Sequence, residues 1–205
     1  MMADLWLSHL TLALLVFVIT PGFGLSPKWQ FVRLLALLAL SFIPVEGLSL
    51  AAYMHSFTGD AAITSLVALA YLAAVRLGLA PRVRQAHAMQ VVVVMAAMGL
   101  FLYPATMGLS YMDPYRLGYQ PRDLIIAVGI LTFVLLALKN GLGVCMFALA
   151  TLAFSIGFKS SPNYWDYLID PFIALYSCGV VIRYVFSRVW RICAAKQDAS
   201  LSAQP

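Results

Sequence analysis

The sequence predicts an all-α membrane protein, a polytopic bundle of about seven transmembrane helices. Of its 205 residues, 63% are hydrophobic and only 10% are charged, whereas soluble domains typically contain about 25% charged residues. A spanning helix needs about 20 residues, so the chain has room for seven or eight helices and for no separate soluble domain. We therefore expect one transmembrane domain over residues 1–192 and a short, disordered cytoplasmic tail over 193–205.

Seven apolar segments define the predicted helices. Each has roughly the length that a bilayer core requires, and the first has no Lys or Arg before it, which favours a retained helix over a secretory signal peptide. Short connections containing Pro, Gly, Asn or Asp separate the segments, so neighbouring helices are expected to be antiparallel. The segments are 5–24, 31–54, 61–79, 88–110, 121–138, 141–157 and 171–191.

The distribution of Lys and Arg predicts an N-terminus outside and a C-terminus in the cytoplasm of a bacterial inner membrane. Positive residues are retained on the cytoplasmic side, and this orientation leaves only Arg116, Arg122 and Lys159 outside. Arg76 and Arg183 fall near cytoplasmic helix ends, where their side chains are expected to extend to the headgroups. Most acidic residues then lie on the outer side, so we expect any polar site there.

Two outer loops have a similar build, with an Asp-Pro pair and several aromatic residues. In the stretch NYWDYLIDPF, 163–172, Asp170 is expected to cap the last helix, with Pro171 in its first turn. The aromatic rings before it are predicted to lie at headgroup depth in an interfacial turn, with Leu168 and Ile169 facing lipid. The loop over 111–123 has the same features. The two loops are either interfacial belts and helix caps, or a lid able to bind a headgroup, a sugar or a partner protein.

Glu46 is predicted to lie inside the second helix, where Pro44 and Gly47 favour a kink. An ionisable group inside a membrane helix usually faces a cavity or a partner. Glu46 is therefore a candidate functional residue, and a protonated carboxyl bonded to Ser41, Ser49 or a tyrosine is the structural alternative.

His55 and Asp60 have the H-x4-D spacing in which a histidine can act as a general base and an aspartate can orient it. With His9 and Glu46 they could in principle hold a divalent cation, although no metal-ligand spacing supports such a site. Serine-hydrolase, zinc-protease and Walker-type nucleotide signatures do not occur in the sequence, and the last helix has no lysine to hold retinal. We therefore predict no cofactor, no metal and no catalytic residue.

The expected function is that of a non-catalytic accessory or assembly subunit that binds a partner or a lipid headgroup through its outer loops. One alternative is a small-solute or ion transporter that uses Glu46, and another is an enzyme that acts on lipid-linked substrates at the outer face. The expected partners are the lipid bilayer and an envelope membrane protein, not nucleic acid. The candidate binding residues are Glu46, His55, Asp60, Asp113, Arg116, Tyr119, Trp165, Asp166 and Asp170.

Overall fold

The chain is helical over most of its length. The computed structural model describes the backbone of residues 2–109 and 111–202 and the side chains of 6–109 and 111–191. Helices account for 72% of the structure, so the predicted all-α class is confirmed. In the described residues the α-helices are α1 (Met2–Ile19), α2 (Pro27–Leu40), α3 (Leu50–Thr58), α4 (Ile63–Arg76), α5 (Gln85–Thr106), α6 (Arg122–Ala137), α7 (Gly141–Ser155), α8 (Trp165–Leu168) and α9 (Pro171–Ser202), with a 3-10 helix at Pro114–Gly118 between α5 and α6.

Two described helices are long and apolar enough to cross a membrane. They are Gln85–Thr106, which is all of α5, and Pro171–Arg191, which is the first part of α9. At 1.5 Å per residue, the 22 residues of α5 span about 33 Å, close to the thickness of a bilayer core. Three shorter apolar helices lie in α1, α4 and α7. The number of seven spans stays a prediction.

The predicted second helix, 31–54, is broken in the structure. Helix α2 ends at Leu40, and strands β1 (Pro44–Val45) and β2 (Leu48–Ser49) form an antiparallel hairpin before α3 begins. Glu46 and Gly47 make its two-residue turn with φ angles of 48° and 90°, and positive φ at both positions is the geometry that a tight hairpin requires. Glu46 is therefore exposed in a turn, and the expectation that it lies inside a helix is wrong.

Helices α5 and α9 pack against each other along their length. A small residue on each helix allows the close approach, because a Cβ added at Gly99 would lie 2.8 Å from the Cβ of Ala174. Around this pair the main core contains side chains from α4 to α9 and from the segment before α8. Among its buried members are Met95, Leu102, Val128, Phe147, Ala150, Tyr164 and Leu168.

Two arginines cap the C-terminal end of α1. Arg33 donates to the carbonyl oxygens of Phe17 (2.9 Å) and Pro21 (2.8 Å), and Arg76 donates to those of Phe17 and Thr20. Cations are stabilising at a helix C-terminus because the last carbonyls carry partial negative charge. Arg76 thus has hydrogen-bond partners within the bundle, and its extension toward the headgroups stays a prediction.

Helix α9 continues to Ser202. Of the tail predicted to be disordered, 193–205, residues 193–202 are helical in their backbone. Residues 203–205 lie outside the described part of the chain.

Candidate functional site

The two loops predicted to lie outside, 111–123 and 163–172, pack directly on each other. Trp165 Nε1 donates to the carbonyl oxygen of Pro114 (2.9 Å), and the backbone N–H of Tyr164 donates to that of Gly118 (3.0 Å). Asn163 Nδ2 donates to the carbonyl oxygen of Tyr115 (3.1 Å). These bonds satisfy backbone groups that a loop would otherwise leave to water. They fix the segment before α8 against the 3-10 helix.

The aromatic cluster is buried, so the expected interfacial turn is wrong. Tyr164, Tyr167 and Leu168 are each 0% exposed, and Trp165 is 3% exposed. Aromatic rings with polar tips can be buried where each tip finds a partner. The hydroxyl of Tyr164 lies 2.6 Å from Thr151 Oγ1, and burial raises the pKa of Tyr164. The segment is therefore part of the core.

The hydroxyl of Tyr167 forms hydrogen bonds with the backbone carbonyl oxygen and the backbone N–H of Lys159. It donates to the Lys159 carbonyl oxygen (2.9 Å) and accepts from the Lys159 N–H (3.0 Å). Thr64 Oγ1 donates to the carbonyl oxygen of Leu168 (2.7 Å). Buried irregular backbone is tolerated where protein groups satisfy its N–H and C=O groups, and these bonds do so.

Asp170 caps α9 as the sequence predicts. One carboxylate oxygen accepts from the N–H groups of Phe172 (3.0 Å) and Ile173 (2.9 Å), while the other accepts from the N–H of Ala62 (3.0 Å). A negative charge is favourable at a helix N-terminus, where free N–H groups carry partial positive charge. The same carboxylate therefore starts α9 and connects it to the start of α4.

Asp166 joins the two loops through its side chain. Tyr115 donates its hydroxyl to Asp166 Oδ1 (3.0 Å), and Ser161 donates to Asp166 Oδ2 in a short contact. Burial and the neighbouring Asp166 carboxylate raise the pKa of Tyr115, since both disfavour the phenolate. Tyr115 thus remains a hydrogen-bond donor at neutral pH.

Lys159 is a buried cation that the sequence analysis did not select. It is 4% exposed, and its Nζ donates to the carbonyl oxygens of Ala61 (3.0 Å) and Asp166 (2.9 Å). The ammonium also lies 5.7 Å from the ring centroid of Tyr167, within the range of a cation–π contact. The available signal was a single lysine on the side predicted to be outer and acidic, close to Asp166 and Asp170 in the sequence.

A cavity of about 340 Å³ opens between the two loops and the ends of α5 and α9. Three carboxylates and one ammonium line it, together with tyrosine and threonine hydroxyls and a few apolar side chains. The volume lies within the range of ligand pockets and polar groups converge on it, so the cavity is a candidate binding site. The lining residues are Thr58, Gly59, Asp60, Leu102, Tyr103, Thr106, Tyr115, Lys159, Ser161, Asp166, Ile169, Asp170 and Pro171.

His55 and Asp60 meet at the edge of this cavity. His55 Nδ1 lies 3.2 Å from Asp60 Oδ1 and 3.3 Å from Ser8 Oγ. Because Ser8 and Asp60 approach the same ring nitrogen, His55 cannot pass a proton from one to the other in the manner of a Ser-His-Asp triad, where each partner takes a different nitrogen. Among the described residues, no donor makes a hydrogen bond of normal geometry to Asp60 Oδ1.

The other selected residues lie apart from the cavity lining. Asp113 caps the 3-10 helix by accepting from the N–H of Tyr115 (3.1 Å) and is exposed. Arg116 and Tyr119 are also exposed, and the ring of Tyr119 contacts that of Tyr115 edge to face. Trp165 is buried beneath the loops. Of the nine selected residues, Asp60, Asp166 and Asp170 line the cavity.

The four residues considered for a cation site do not form one. His9 Nδ1 lies 2.9 Å from Ser41 Oγ, and its ring stacks on Phe42 with centroids 3.7 Å apart. Glu46 is exposed in the hairpin turn, and no cluster of three His, Cys, Asp or Glu side chains suited to a metal occurs in the described part of the chain. The position of Glu46 also removes the buried ionisable group on which the transporter alternative rested.

Comparison with protein-family models, curated proteins and solved structures finds no match in any of the three.

Proposed function

We propose that this protein is a multi-pass inner-membrane protein that binds a polar lipid headgroup in its outer cavity and serves as a non-catalytic accessory or assembly subunit. The observation that carries the proposal is the cavity between the two outer loops, with Asp60, Asp166, Asp170 and Lys159 in its lining. It joins Asp60, which lies between α3 and α4, to three charged groups of the segment before α9.

The surface of the helices supports a membrane location. Phe133 on α6 is 73% exposed, Leu175 on α9 is 72% exposed and Phe186 on α9 is 68% exposed. Large apolar side chains in such numbers are unfavourable in water and match a hydrocarbon solvent. With the two candidate spans and the distribution of Lys and Arg, this favours a bundle in the inner membrane with its N-terminus outside.

The charges of the cavity favour a headgroup that carries an amine. Three carboxylates face one ammonium, so the ionised lining has an excess of negative charge, which attracts a cation. Asp166 and Asp170 already accept several protein hydrogen bonds, whereas the contact that the described structure gives the Asp60 carboxylate is with His55 Nδ1, 3.2 Å from Oδ1. Asp60 is therefore the carboxylate best placed to accept from the ligand.

Substitution of Asp60 tests the headgroup site. Wild type, Asp60→Asn and Asp123→Asn would be purified in mild detergent, and binding of phosphatidylethanolamine would be measured by native mass spectrometry. Asp123 is an exposed acidic residue in the first turn of α6, outside the cavity lining, so it controls for net charge. A charge-assisted hydrogen bond contributes about 1.5–3 kcal/mol, so Asp60→Asn is expected to weaken binding about tenfold or more.

Two results would contradict the headgroup site. Equal binding by Asp60→Asn and Asp123→Asn would exclude a role for the cavity carboxylate. Equal binding of phosphatidylethanolamine and phosphatidylglycerol by wild type would exclude recognition of an amine. Circular dichroism of each variant checks that the helices are retained.

The exposed part of the 111–123 loop is the proposed contact with a protein partner. Arg116 and Tyr119 project from the 3-10 region with exposed side chains, and Arg and Tyr are enriched in interfaces. Chemical crosslinking in cells, followed by purification, would compare wild type with Arg116→Ala/Tyr119→Ala. Loss of a specific crosslinked membrane protein supports the accessory role, and an unchanged set of crosslinked proteins contradicts it.

An enzyme acting on lipid-linked substrates is the second candidate, and the contact between His55 and Asp60 favours it. An aspartate at Nδ1 can orient the ring so that Nε2 accepts a proton from a substrate hydroxyl. The reconstituted protein would be incubated with a lipid extract, and new lipid species would be identified by mass spectrometry. Products that disappear with both His55→Gln and Asp60→Asn would establish catalysis, and absence of products from wild type would exclude it for the lipids tested.

A further inference from the structure

A second cavity lies at the opposite end of the α5–α9 pair. Its volume is about 400 Å³, and it is located where α5 begins at Gln85 and where the candidate span in α9 ends at Arg191. It is therefore separated from the outer cavity by the length of a possible membrane span. The lining residues are Gln85, Ala86, Met89, Tyr184, Arg188 and Arg191.

The lining of this cavity is basic. Arg188 and Arg191 are the charged members, and no acidic side chain is among the described residues that line it. The guanidinium of Arg188 lies over the ring of Tyr184, 5.7 Å from its centroid, and its Nη2 donates to the Tyr184 hydroxyl (3.3 Å). A guanidinium has five N–H donors, so this contact orients Arg188 and leaves donors on the group for a ligand.

The start of α5 adds to the positive potential. Its N-cap residue, Arg84, makes no side-chain hydrogen bond to the first turn, and the first N–H groups of a helix have no partner within the helix. The helix dipole gives this end partial positive charge. Arginine side chains and a helix N-terminus both favour phosphate oxygens.

We propose that this cavity binds the phosphate group of an anionic lipid. Phosphate is the shared chemistry, and a free phosphate ion is the other possible source of it. The position of the cavity favours the lipid, because it lies at the end of both candidate spans, at the depth of the headgroups. The rings of Phe186 and Trp190, each 68% exposed and stacked on each other, lie in the same turns of α9 as Arg188 and provide an apolar surface at the level of the cavity.

Thermal unfolding of the intact protein in mild detergent tests the site. The midpoint would be followed during titration with phosphatidylglycerol, with phosphatidylcholine and with inorganic phosphate. Wild type is expected to be stabilised by phosphatidylglycerol, because a ligand that binds only the folded state raises the midpoint. Arg188→Gln/Arg191→Gln is expected to need at least about tenfold more phosphatidylglycerol for the same shift, since each arginine near a lipid surface contributes to binding.

Lys28→Gln/Lys139→Gln is the matched control. Both lysines are exposed and lie outside the cavity lining, so this variant removes the same charge while leaving the site intact, and it should respond like wild type. The proposal would be overturned if both double variants needed equally more phosphatidylglycerol than wild type. It would also be overturned if neither phosphatidylglycerol nor inorganic phosphate shifted the unfolding midpoint of wild type. A shift with inorganic phosphate and none with phosphatidylglycerol would overturn the lipid as the source.

Circular dichroism before the titration shows whether the double variants are folded. If Arg188→Gln/Arg191→Gln does not fold, each single substitution is titrated in its place, and the proposal then fails unless at least one of them weakens the response to phosphatidylglycerol. The experiment is independent of the outer cavity, because neither pair of substitutions touches the residues proposed to bind the amine headgroup.

Discussion

The hydroxyl of Tyr115 donates to the carboxylate of Asp166 at 3.0 Å, so a side chain from the 3-10 helix bonds one from α8, 51 residues later in the chain. The contact fixes the distance between the two loops that form the outer cavity. Because Asp166 also accepts from Ser161, its carboxylate is held on two sides. The shape of the cavity therefore depends on a small number of polar contacts.

Removal of the Tyr115 hydroxyl should destabilise the protein. We expect Tyr115→Phe to lower the free energy of unfolding by about 1.5–3 kcal/mol, the contribution of a hydrogen bond to a charged group. Tyr111→Phe is the control, because Tyr111 is exposed. Thermal and chemical unfolding in detergent measures both. A loss no larger than that of the control would show that the Tyr115 contact is unimportant for stability.

Stability should fall in alkaline solution because of the tyrosines between the two loops. The folded state raises the pKa of Tyr115 through burial and the Asp166 carboxylate, and it raises the pKa of Tyr164 through burial. A raised pKa means that the folded state holds its protons more strongly than the unfolded state, whose tyrosines have a pKa near about 10. The stabilisation is thus complete below about pH 10 and is lost progressively above it.

Unfolding midpoints measured from pH 8 to pH 11 check this dependence. The unfolding midpoint of Tyr115→Phe should fall less steeply with pH than that of wild type, because the variant lacks one of the two tyrosine hydroxyls whose pKa is raised. An identical slope in the two proteins would contradict the assignment of the effect to Tyr115.

The two Asp-Pro caps should differ in their effect on stability. Asp170→Ala removes three hydrogen bonds, including the one that binds the N–H of Ala62, and we expect it to cost about 1–3 kcal/mol of the free energy of unfolding. Asp113→Ala removes an exposed cap of a short 3-10 helix and should cost less. Unfolding of both variants under one condition makes the comparison, and a larger loss for Asp113→Ala would refute it.

A methyl group at Gly118 should disrupt the packing of the loops. A Cβ there would overlap the side-chain amide of Asn163 and would lie 2.8 Å from Trp165 Cδ1. We expect Gly118→Ala to cost about 1–3 kcal/mol, as overpacking usually does. Gly179→Ala, in α9 with no atom within 4 Å of the new Cβ, should be neutral or stabilising by up to about 1 kcal/mol. Equal stability of the two variants would argue against the described packing.

Glu46→Gly distinguishes the hairpin from the helix that the sequence predicts. In the hairpin Glu46 has a φ of 48°, which glycine adopts without strain, so the free energy of unfolding should be unchanged or raised by up to about 1 kcal/mol. In a helix the same substitution would lower it by about 1 kcal/mol. Chemical unfolding in detergent measures the difference, and a loss of that size would show that the hairpin is wrong.

Sequence patterns predicted the helices well where hydrophobicity and turn residues agreed. Six of the seven apolar segments contain one helix each, and Asp170 caps α9 as its position before Pro171 indicates. The break after Leu40 was misjudged because the segment stays apolar through the hairpin. Hydrophobicity alone cannot show that Glu46 and Gly47 both take positive φ.

The site was predicted only in part, for a physical reason. Aspartates predicted to lie on the outer side were selected as candidates, and three of them line one cavity. The burial of Trp165 and Tyr167 could not be foreseen, because rings with polar tips suit both a membrane interface and a core with internal partners. Lys159 was missed because its role depends on the carbonyls of Ala61 and Asp166, which meet only in the folded chain.

The buried segment before α9, residues 159–170, is synthesised after the distant groups to which it bonds. The distant groups bonded by residues 159–170 belong to Ala61, Ala62, Thr64, Pro114, Tyr115, Gly118 and Thr151, and all of these precede it in the chain. The segment can therefore dock as soon as it leaves the ribosome, onto helices that are already made. Until then those carbonyls and hydroxyls need water or a chaperone as a temporary partner. A chain released just before Asn163 would keep α1 to α7, would lack α8 and α9, and would leave the floor of the outer cavity open.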